Sequence, residues 1–464
     1  MKYDKTSPLS IFDYSKQLIG KSLRNVVAND ALHTRSGKGG LGQLVEELFF
    51  EYEVNNDQRA DFEEAKLELK CTPLKVLNNG SLAIKERLVC TMIDFFEVAD
   101  TPFKESKLYH KCFLMLILFY LHNSSLEQHD LNFLFSVLWQ LPEKDLIIIE
   151  NDYNIISRKI RDGKAHLLSE GDTMYLGACR KGKKGDKAVP QPNSEELAPK
   201  RAFSLKTSYM RTILPHVLDT EEGYYCNYDA PSTDTSLTTI DELKEMSFKE
   251  ILAQRFATYI GLDYNEICDT LGLTPSLAKS KYYGIASAMA GGSLDEAEEI
   301  KKSGMIIKTI RVNYNGRINE HMSFKNLDYR ELLENDNWYD SELYELFSGN
   351  FMFVIFKEPE QNSQITIKGT TETKYCFDRI VFWTMPQADL EKAELYWLQI
   401  RTLVAENRIH DLRKECSIAK SDIFHVRPKG KDGDDLDVNP LDGTCVEKNC
   451  YWFNNTYVRK IIEP

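Results

Sequence analysis

The sequence predicts a mixed α/β protein in which one domain, a sheet flanked by helices, occurs twice in tandem, with the second copy degenerate. Three observations predict this. The chain repeats itself in order, apolar runs of strand length recur at equivalent places, and stretches of helical spacing lie between them. The repeat is clearest near the two ends. Residues 202–214, AFSLKTSYMRTIL, align without a gap against residues 450–462, CYWFNNTYVRKII, pairing Tyr209 with Tyr457, Arg211 with Arg459 and Ile213 with Ile461. Upstream, Lys181-Gly-Lys-Lys-Gly-Asp186 pairs with Lys429-Gly-Lys-Asp-Gly-Asp434, and Ile19-Gly20 resembles Ile260-Gly261. The apolar run 113–119, FLMLILF, faces 351–356, FMFVIF. The expected domains are 1–220 and 247–464. Residues 221–246, rich in Asp, Glu, Ser and Thr and containing Pro231, are expected as a solvated linker.

Within the first copy, Asn78-Asn-Gly80 marks a tight turn between Phe62–Leu77 and Ser81–Thr91, and Asn315-Gly316 marks the same place in the second. Phe113 to Leu121 is a buried strand by this reading, and Ile147-Ile148-Ile149 another. Ile155, Ile156, Ile160 and Leu167 have helical spacing that ends or bends near Gly163. Residues 264–290, with Leu273-Thr274-Pro275-Ser276 before a helical stretch, read as domain scaffold rather than a helix-turn-helix.

Composition bounds the function. A hydrophobic fraction of 42% and an aromatic fraction of 11% suffice for buried cores. Ten cysteines without a CxxC pair argue against structural zinc and a disulfide framework. The longest apolar run is far below the roughly 20 residues of a membrane-spanning helix. MKYDKTSPLSIFDYSKQ has no apolar core of a signal peptide. A cytoplasmic protein without a membrane partner is the expectation. The net charge of −13 counts against a nucleic-acid partner, but phosphate binding depends on the field of one face. Arg180 to Lys187, joined by Lys200-Arg201, Lys206 and Arg211, is locally basic. So is Arg427 to Lys431, joined by Arg459-Lys460.

The chemistry lies in Asp61-Phe-Glu-Glu-Ala-Lys-Leu-Glu-Leu-Lys70. On a strand, Glu68 and Lys70 point one way and Leu67 and Leu69 the other. Two carboxylates, Asp61 and Glu68, converging on one point make a hard oxygen site suited to magnesium, and an adjacent lysine can orient water on a phosphodiester. The bland alternative is a solvent-facing strand edge with an ion pair. Glu242-Leu-Lys244, with Asp234 upstream, has the same pattern by chance in a polar stretch. The second copy weighs against the bland reading. GMIIKT (304–309) stands where KLELKC (66–71) stands, so Glu68 becomes Ile306 while Lys70 is kept as Lys308. By the apolar-run alignment, Lys111 corresponds to Gly349.

These residues resemble the MutH and Sau family of GATC-specific endonucleases, within the PD-(D/E)xK nucleases. Lys38-Gly-Gly-Leu-Gly-Gln-Leu-Val-Glu46 is similar to the family's K-G-x-x-G-x-L-x-E. Asp61, then Glu68-Leu-Lys70 with Thr72-Pro73, resembles its D…E-L-K-x-x-P. Glu105-Ser-Lys-Leu-Tyr-His-Lys111 is similar to a further acid-to-lysine motif, and Tyr175-Leu…Lys181 and Phe203-Ser-Leu-Lys206 resemble its Y-L-x-x-R-P-K and F-Y-L-K. The resemblance implies a restriction-endonuclease-like fold and a magnesium cofactor held by Asp61 and Glu68. Lys70 would serve the attacking water, Glu46 would be an additional acid and Lys111 a phosphate-facing lysine. Lys38, Gly39, Arg180, Lys181 and Lys206 would meet duplex DNA, as would Arg427 and Lys429 in the second copy. Two departures stand out: Cys179-Arg180-Lys181 replaces R-P-K, which survives as Arg427-Pro428-Lys429 in the second copy, and Ser204 replaces the tyrosine of F-Y-L-K. The tandem layout is that of the Sau-type restriction enzymes. It implies cleavage of GATC, 5′ of the G, by the first copy and allosteric DNA binding by the second. The expected molecule is a monomer that pairs on DNA. A repair-type nickase and a non-cutting DNA-binding protein are the alternatives.

Overall fold

The computed structural model describes residues 2–27, 40–52, 59–77, 79–182, 186–229 and 236–463. It divides into two compact units: Met1–Ser247 with Glu298–Gly304, and Phe248–Ala297 with Met305–Pro464.

In the first unit, the strands are β1 (Glu68–Val76), β2 (Leu82–Ile84), β3 (Leu88–Met92), β4 (Leu114–Leu121), β5 (Phe133–Gln140), β6 (Leu176–Arg180), β7 (Val189–Gln191), β8 (Ser194–Ala198), β9 (Arg201–Leu205) and β10 (Tyr224–Cys226). The main sheet runs β10-β5-β4-β1-β2, a smaller one β3-β9-β6, and β7 and β8 pair alone. Strand β1 lies parallel to β4, with Glu68 opposite Met115 and Lys70 opposite Ile117, and β4 is antiparallel to β5. Every residue of β4 from Leu114 to Phe119 is buried, as a strand covered on both faces requires. Leu67, Leu69, Leu116 and Phe133 join Phe12, Val45 and Phe62 in one apolar cluster. Burying each such side chain stabilises the fold by about 1.5–3 kcal/mol.

Ile147 to Ile149 are not a strand. They lie in the helix Glu143–Arg161, which follows Pro142, opens with Glu143 and Asp145 and closes with Arg158, Lys159 and Arg161. Its buried stripe of Ile148, Ile149, Asp152, Tyr153, Ile156 and Ile160 has helical spacing, and the end charges suit the helix dipole. Three isoleucines in a row are equally compatible with a strand, and the flanking signals decide. His110 sits in the helix Lys107–Cys112. The 221–246 stretch, expected as linker, contributes β10, which pairs with β5, and the helix Ile240–Glu245, opened by a Thr239–Glu242 capping box.

The first unit also holds Glu298–Gly304, which is separated from it in sequence. Lys302 Nζ reaches the buried Asp145 carboxylate at 2.9 Å and Glu298 at 2.7 Å, and Ser208 Oγ donates to the Lys302 carbonyl at 2.8 Å. The Glu299 carboxylate accepts from the Leu237 and Thr238 amides at 3.0 and 2.9 Å.

In the second unit the strands are β11 (Ile306–Val312), β12 (Met322–Asn326), β13 (Phe351–Lys357), β14 (Gln364–Ile367), β15 (Thr370–Thr373), β16 (Cys376–Trp383), β17 (Phe424–Pro428), β18 (Leu436–Val438), β19 (Cys445–Glu447) and β20 (Asn449–Phe453). Its sheets repeat the first unit's pairings. The order β11-β13-β16 reproduces β1-β4-β5, parallel then antiparallel, and β12-β20-β17 reproduces β3-β9-β6. The long helix recurs as Gln387–Ala405, again 19 residues after a proline. In each unit a late tyrosine hydroxyl donates to an aspartate in that helix's first turn, Tyr209 to Asp145 at 2.7 Å and Tyr457 to Asp389 at 2.8 Å. Residues 264–290 contribute the helices Tyr264–Leu271 and Lys281–Ala290. Among the described residues, no helix is long and apolar enough to cross a membrane.

Candidate active site

The site is assembled by a tight fold-back before β1. Phe62 and Leu67, both fully buried, exchange backbone hydrogen bonds at 2.9 and 3.2 Å around the loop Glu63–Lys66, whose Lys66 has φ +50°. This brings Asp61 alongside the start of β1. The Leu69 amide donates to Asp61 Oδ2 at 2.9 Å, and the Asp61 amide donates to Glu68 Oε2 at 3.2 Å. Glu68 is 1% exposed. Its carboxylate takes two ammonium groups: Lys70 Nζ at 2.7 Å from Oε1, and Lys111 Nζ at 3.1 and 3.2 Å from the two oxygens. Lys111 also stands 3.9 Å from Asp61 Oδ1. Lys70 makes a second hydrogen bond, to the Cys90 carbonyl of β3 at 3.3 Å. A backbone acceptor of this kind leaves no residue-type signal, so sequence reasoning could not find it.

Lys111 is delivered by the helix Lys107–Cys112. Ser106 caps that helix, its Oγ accepting from the Tyr109 amide at 3.2 Å. Glu46 lies in the π-turn Val45–Phe49, is 5% exposed, and its Oε1 has no hydrogen-bond partner among the described residues. Turns of this type gather at functional sites. Burial, with the charges of Asp61 and Glu68 adding, pushes the Glu46 carboxyl up to about 8. Burial and Glu68 push Asp61 up to about 6 against the opposing pull of Lys70 and Lys111. For Lys70 burial acts downward, but Glu68 and Asp61 outweigh it and hold the ammonium above its usual range. Glu68, Lys70 and Lys111 line an open cleft of about 730 Å³, whose rim carries Lys107 and Lys200.

Among the described residues, no group of three or more His, Cys, Asp or Glu is arranged to hold a metal ion. The donor set nonetheless fits a hard divalent cation. Glu46 Oε1 is an orphaned buried oxygen, and the raised acids around it are charge-crowded in a way a cation would relieve.

The described residues bring together Asp61, Glu68, Lys70 and Lys111, the core of the expected site. The family described as "DNA mismatch repair enzyme MutH" matches residues 50–152, which carry all four. The type II restriction enzyme Sau3AI of Staphylococcus aureus is 29% identical over 504 aligned residues, covering 98% of each chain. These similarities support a restriction endonuclease of the MutH/Sau type.

Against that family's pattern the remaining expected contacts divide. Lys38 and Gly39 lie outside the described residues. Arg180 is exposed at the end of β6 and Lys181 is half-buried beyond it. Lys206, expected at DNA, is buried and donates to the Thr173 carbonyl at 2.5 Å. The start of the helix Thr207–Leu218 packs inward and takes Lys206 with it. Ser204 is fully buried between strands, where Gly177 leaves room for its hydroxyl and the Glu170 carboxylate.

In the second unit Ile306 holds the register of Glu68, opposite Phe351 as Glu68 is opposite Met115, and Lys308 holds that of Lys70. Lys308 Nζ donates to the Ser323 carbonyl of β12 at 2.9 Å. Burial and the neighbouring Lys429 push its ammonium below the usual lysine range. Lys111 has a different counterpart from Gly349. The helix Glu342–Phe347 is capped by Ser341 as Lys107–Cys112 is by Ser106, and counting from those serines Lys111 corresponds to Leu346. The apolar-run alignment is out of register by two residues, since Phe351 stands where Met115 does, and one extra residue between Ser341 and that strand makes up the rest of the slip. Arg427 and Lys429 are exposed and lie over the Trp452 ring at 5.2 and 5.8 Å from its centroid.

Proposed function

We propose that this chain is a type II site-specific deoxyribonuclease that hydrolyses phosphodiesters of duplex DNA at GATC, 5′ of the G, with magnesium. The observation that carries the reading is the buried Glu68 carboxylate, joined by Asp61 through the fold-back and flanked by Lys70 and Lys111 at one cleft. Asp61 and Glu68, with Glu46 beside them, would hold the magnesium, which supplies charge neutralisation at the phosphate and a more acidic water. Lys70, fixed by Glu68 and the Cys90 carbonyl, donates a hydrogen bond to the attacking water and orients it on the phosphorus. Lys111 faces the phosphate and offsets its growing negative charge. Lys107 and Lys200 on the rim suit backbone phosphates, and Arg180 and Lys181 suit the groove.

The second unit, keeping Lys308 but not the acid, binds DNA without cutting it and acts as an allosteric effector site through Arg427 and Lys429. Replacing both by Ala is expected to leave one-site cleavage intact and to abolish stimulation by a second site. The protein is a monomer that pairs on DNA. Ser204 in place of the family's tyrosine implies equal cleavage of unmethylated and adenine-methylated GATC, and protection by methylation would overturn that point.

The deciding experiment incubates a plasmid carrying several GATC sites with magnesium or EDTA, beside a Lys70→Ala variant. Discrete magnesium-dependent fragments ending at GATC, formed about 10²–10³-fold more slowly by the variant, support the proposal. Nicked circles alone would point to a nickase, and a retarded but intact plasmid to a binding protein.

A further inference from the structure

In the first unit two lysines share one acid. In the second, two lysines meet with no acid between them among the described residues. Lys308 donates to the Ser323 carbonyl at 2.9 Å, and Lys429 donates to Ser323 Oγ at 3.1 Å and to the Phe324 carbonyl at 2.8 Å. All three acceptors are neutral. Ile306 occupies the register of the acid that neutralises the pair in the first unit. Lys308 and Ser323 line a cleft of about 360 Å³ together with Lys279, Arg311 and His321, against the single acid Glu320, which pairs with Arg311 at 3.0 Å. The Lys308 ammonium is held at a partly buried place without countercharge, which is costly, and an anion that enters offsets that cost. An ammonium has three donors, so Lys308 retains hydrogen-bonding capacity beyond the carbonyl it holds.

We propose that this cleft in the second unit binds a single phosphate group, held by Lys308 in its lining and by Lys429, which reaches the lining residue Ser323 from beside it. Lys308 keeps the register of Lys70, which serves the water beside the scissile phosphate, so the choice of phosphate among anions rests on the nuclease reading of the first unit. Loss of the acid at Ile306 removes the means of cutting and creates an electrostatic vacancy that fits the anion. The phosphate can come from a DNA backbone or from the free ion.

Trp452, beside Lys429, supplies the signal. The full chain without magnesium is titrated with sodium phosphate, with sodium chloride at matched ionic strength, and with a short duplex lacking GATC. A saturable change in tryptophan emission with phosphate, absent with chloride and lost in Trp452→Phe, is expected. Lys308→Met should weaken the phosphate response at least tenfold. Ile306→Glu, which restores the acid beside Lys308, should weaken it similarly while retaining the lysine. If the source is a DNA backbone, the duplex moves the same signal and Lys308→Met lowers its salt slope by about one. If the source is free phosphate, the duplex leaves it unchanged. A phosphate response no larger than that to chloride, or one kept in both variants, overturns the proposal. The wild-type comparison needs no variant to fold. No cleavage is read, so failure of the nuclease reading and failure of this site are separately visible.

Discussion

At Glu68 two ammonium groups and a backbone amide meet one buried carboxylate, so the residue supports the fold as well as the chemistry. Glu68→Gln keeps the shape and removes the charge, leaving Lys70 and Lys111, 16% and 12% exposed, without their anion. Cleavage is expected to fall below detection. Urea unfolding should show a loss of about 3–5 kcal/mol, the usual result of breaking a buried ion pair from one side. An unchanged midpoint would mean that solvent reaches the pair. The alternation of Glu68 and Lys70 was legible in the sequence because a strand has period two. The convergence of Asp61 on Glu68 was expected too, but the fold-back that delivers it was not, because it depends on Lys66 adopting a positive φ that its side chain does not advertise. Lys206 was misleading for the converse reason: a lysine in a basic stretch looks like a phosphate contact, and only packing reveals that its ammonium holds the Thr173 carbonyl.

The helices that precede the two central strands offer a comparison within one chain. Ser106 and Ser341 cap them in the same way, each also donating to the carbonyl three residues back, Phe103 at 2.5 Å and Trp338 at 2.7 Å. Replacing either serine by alanine should cost about 1 kcal/mol. Only Ser106→Ala should also slow cleavage, because only that helix carries a lysine to the acid. Equal kinetic effects from both variants would argue against Lys111 acting at the site. The order of repeated elements was legible in the sequence, since apolar runs and the Tyr-x-Arg match survive divergence. The helical state of Ile147 to Ile149 and the Leu346 equivalence were not. The first depends on a proline and end charges outside the triplet, and the second on an insertion that short matches conceal.

Over the whole molecule, acid should act on the second unit through a pair of histidines. Their rings meet at 4.9 Å, and His425 Nδ1 lies 2.6 Å from Asn454 Oδ1. Burial lowers both, with Arg427 adding to it at His321, and at His425 burial, helped by His321 and Arg427, prevails over the raising hydrogen bond to Asn454. Below the ordinary value of 6.5 the unfolded chain therefore binds more protons than the folded one. The contribution to stability is present above pH 6.5 and is lost as pH falls through the lowered folded-state values. Urea midpoints compared at pH 7.5 and 5.5 should fall on acidification, and His425→Gln should reduce that difference. A variant with the full wild-type difference would exclude His425.

The segment Glu298–Gly304 belongs to the first unit although the second unit's chain flanks it on both sides. Lys302 is the cation for Asp145, which is 2% exposed. Lys302→Ala in the full chain should cost about 3–5 kcal/mol, and an unchanged unfolding midpoint would show the pair to be dispensable. The two copies are thus no longer interchangeable cassettes. A recombination event at the apparent boundary near residue 247 would hand on a nuclease half lacking a buried countercharge, so this architecture is inherited whole or rebuilt, not shuffled.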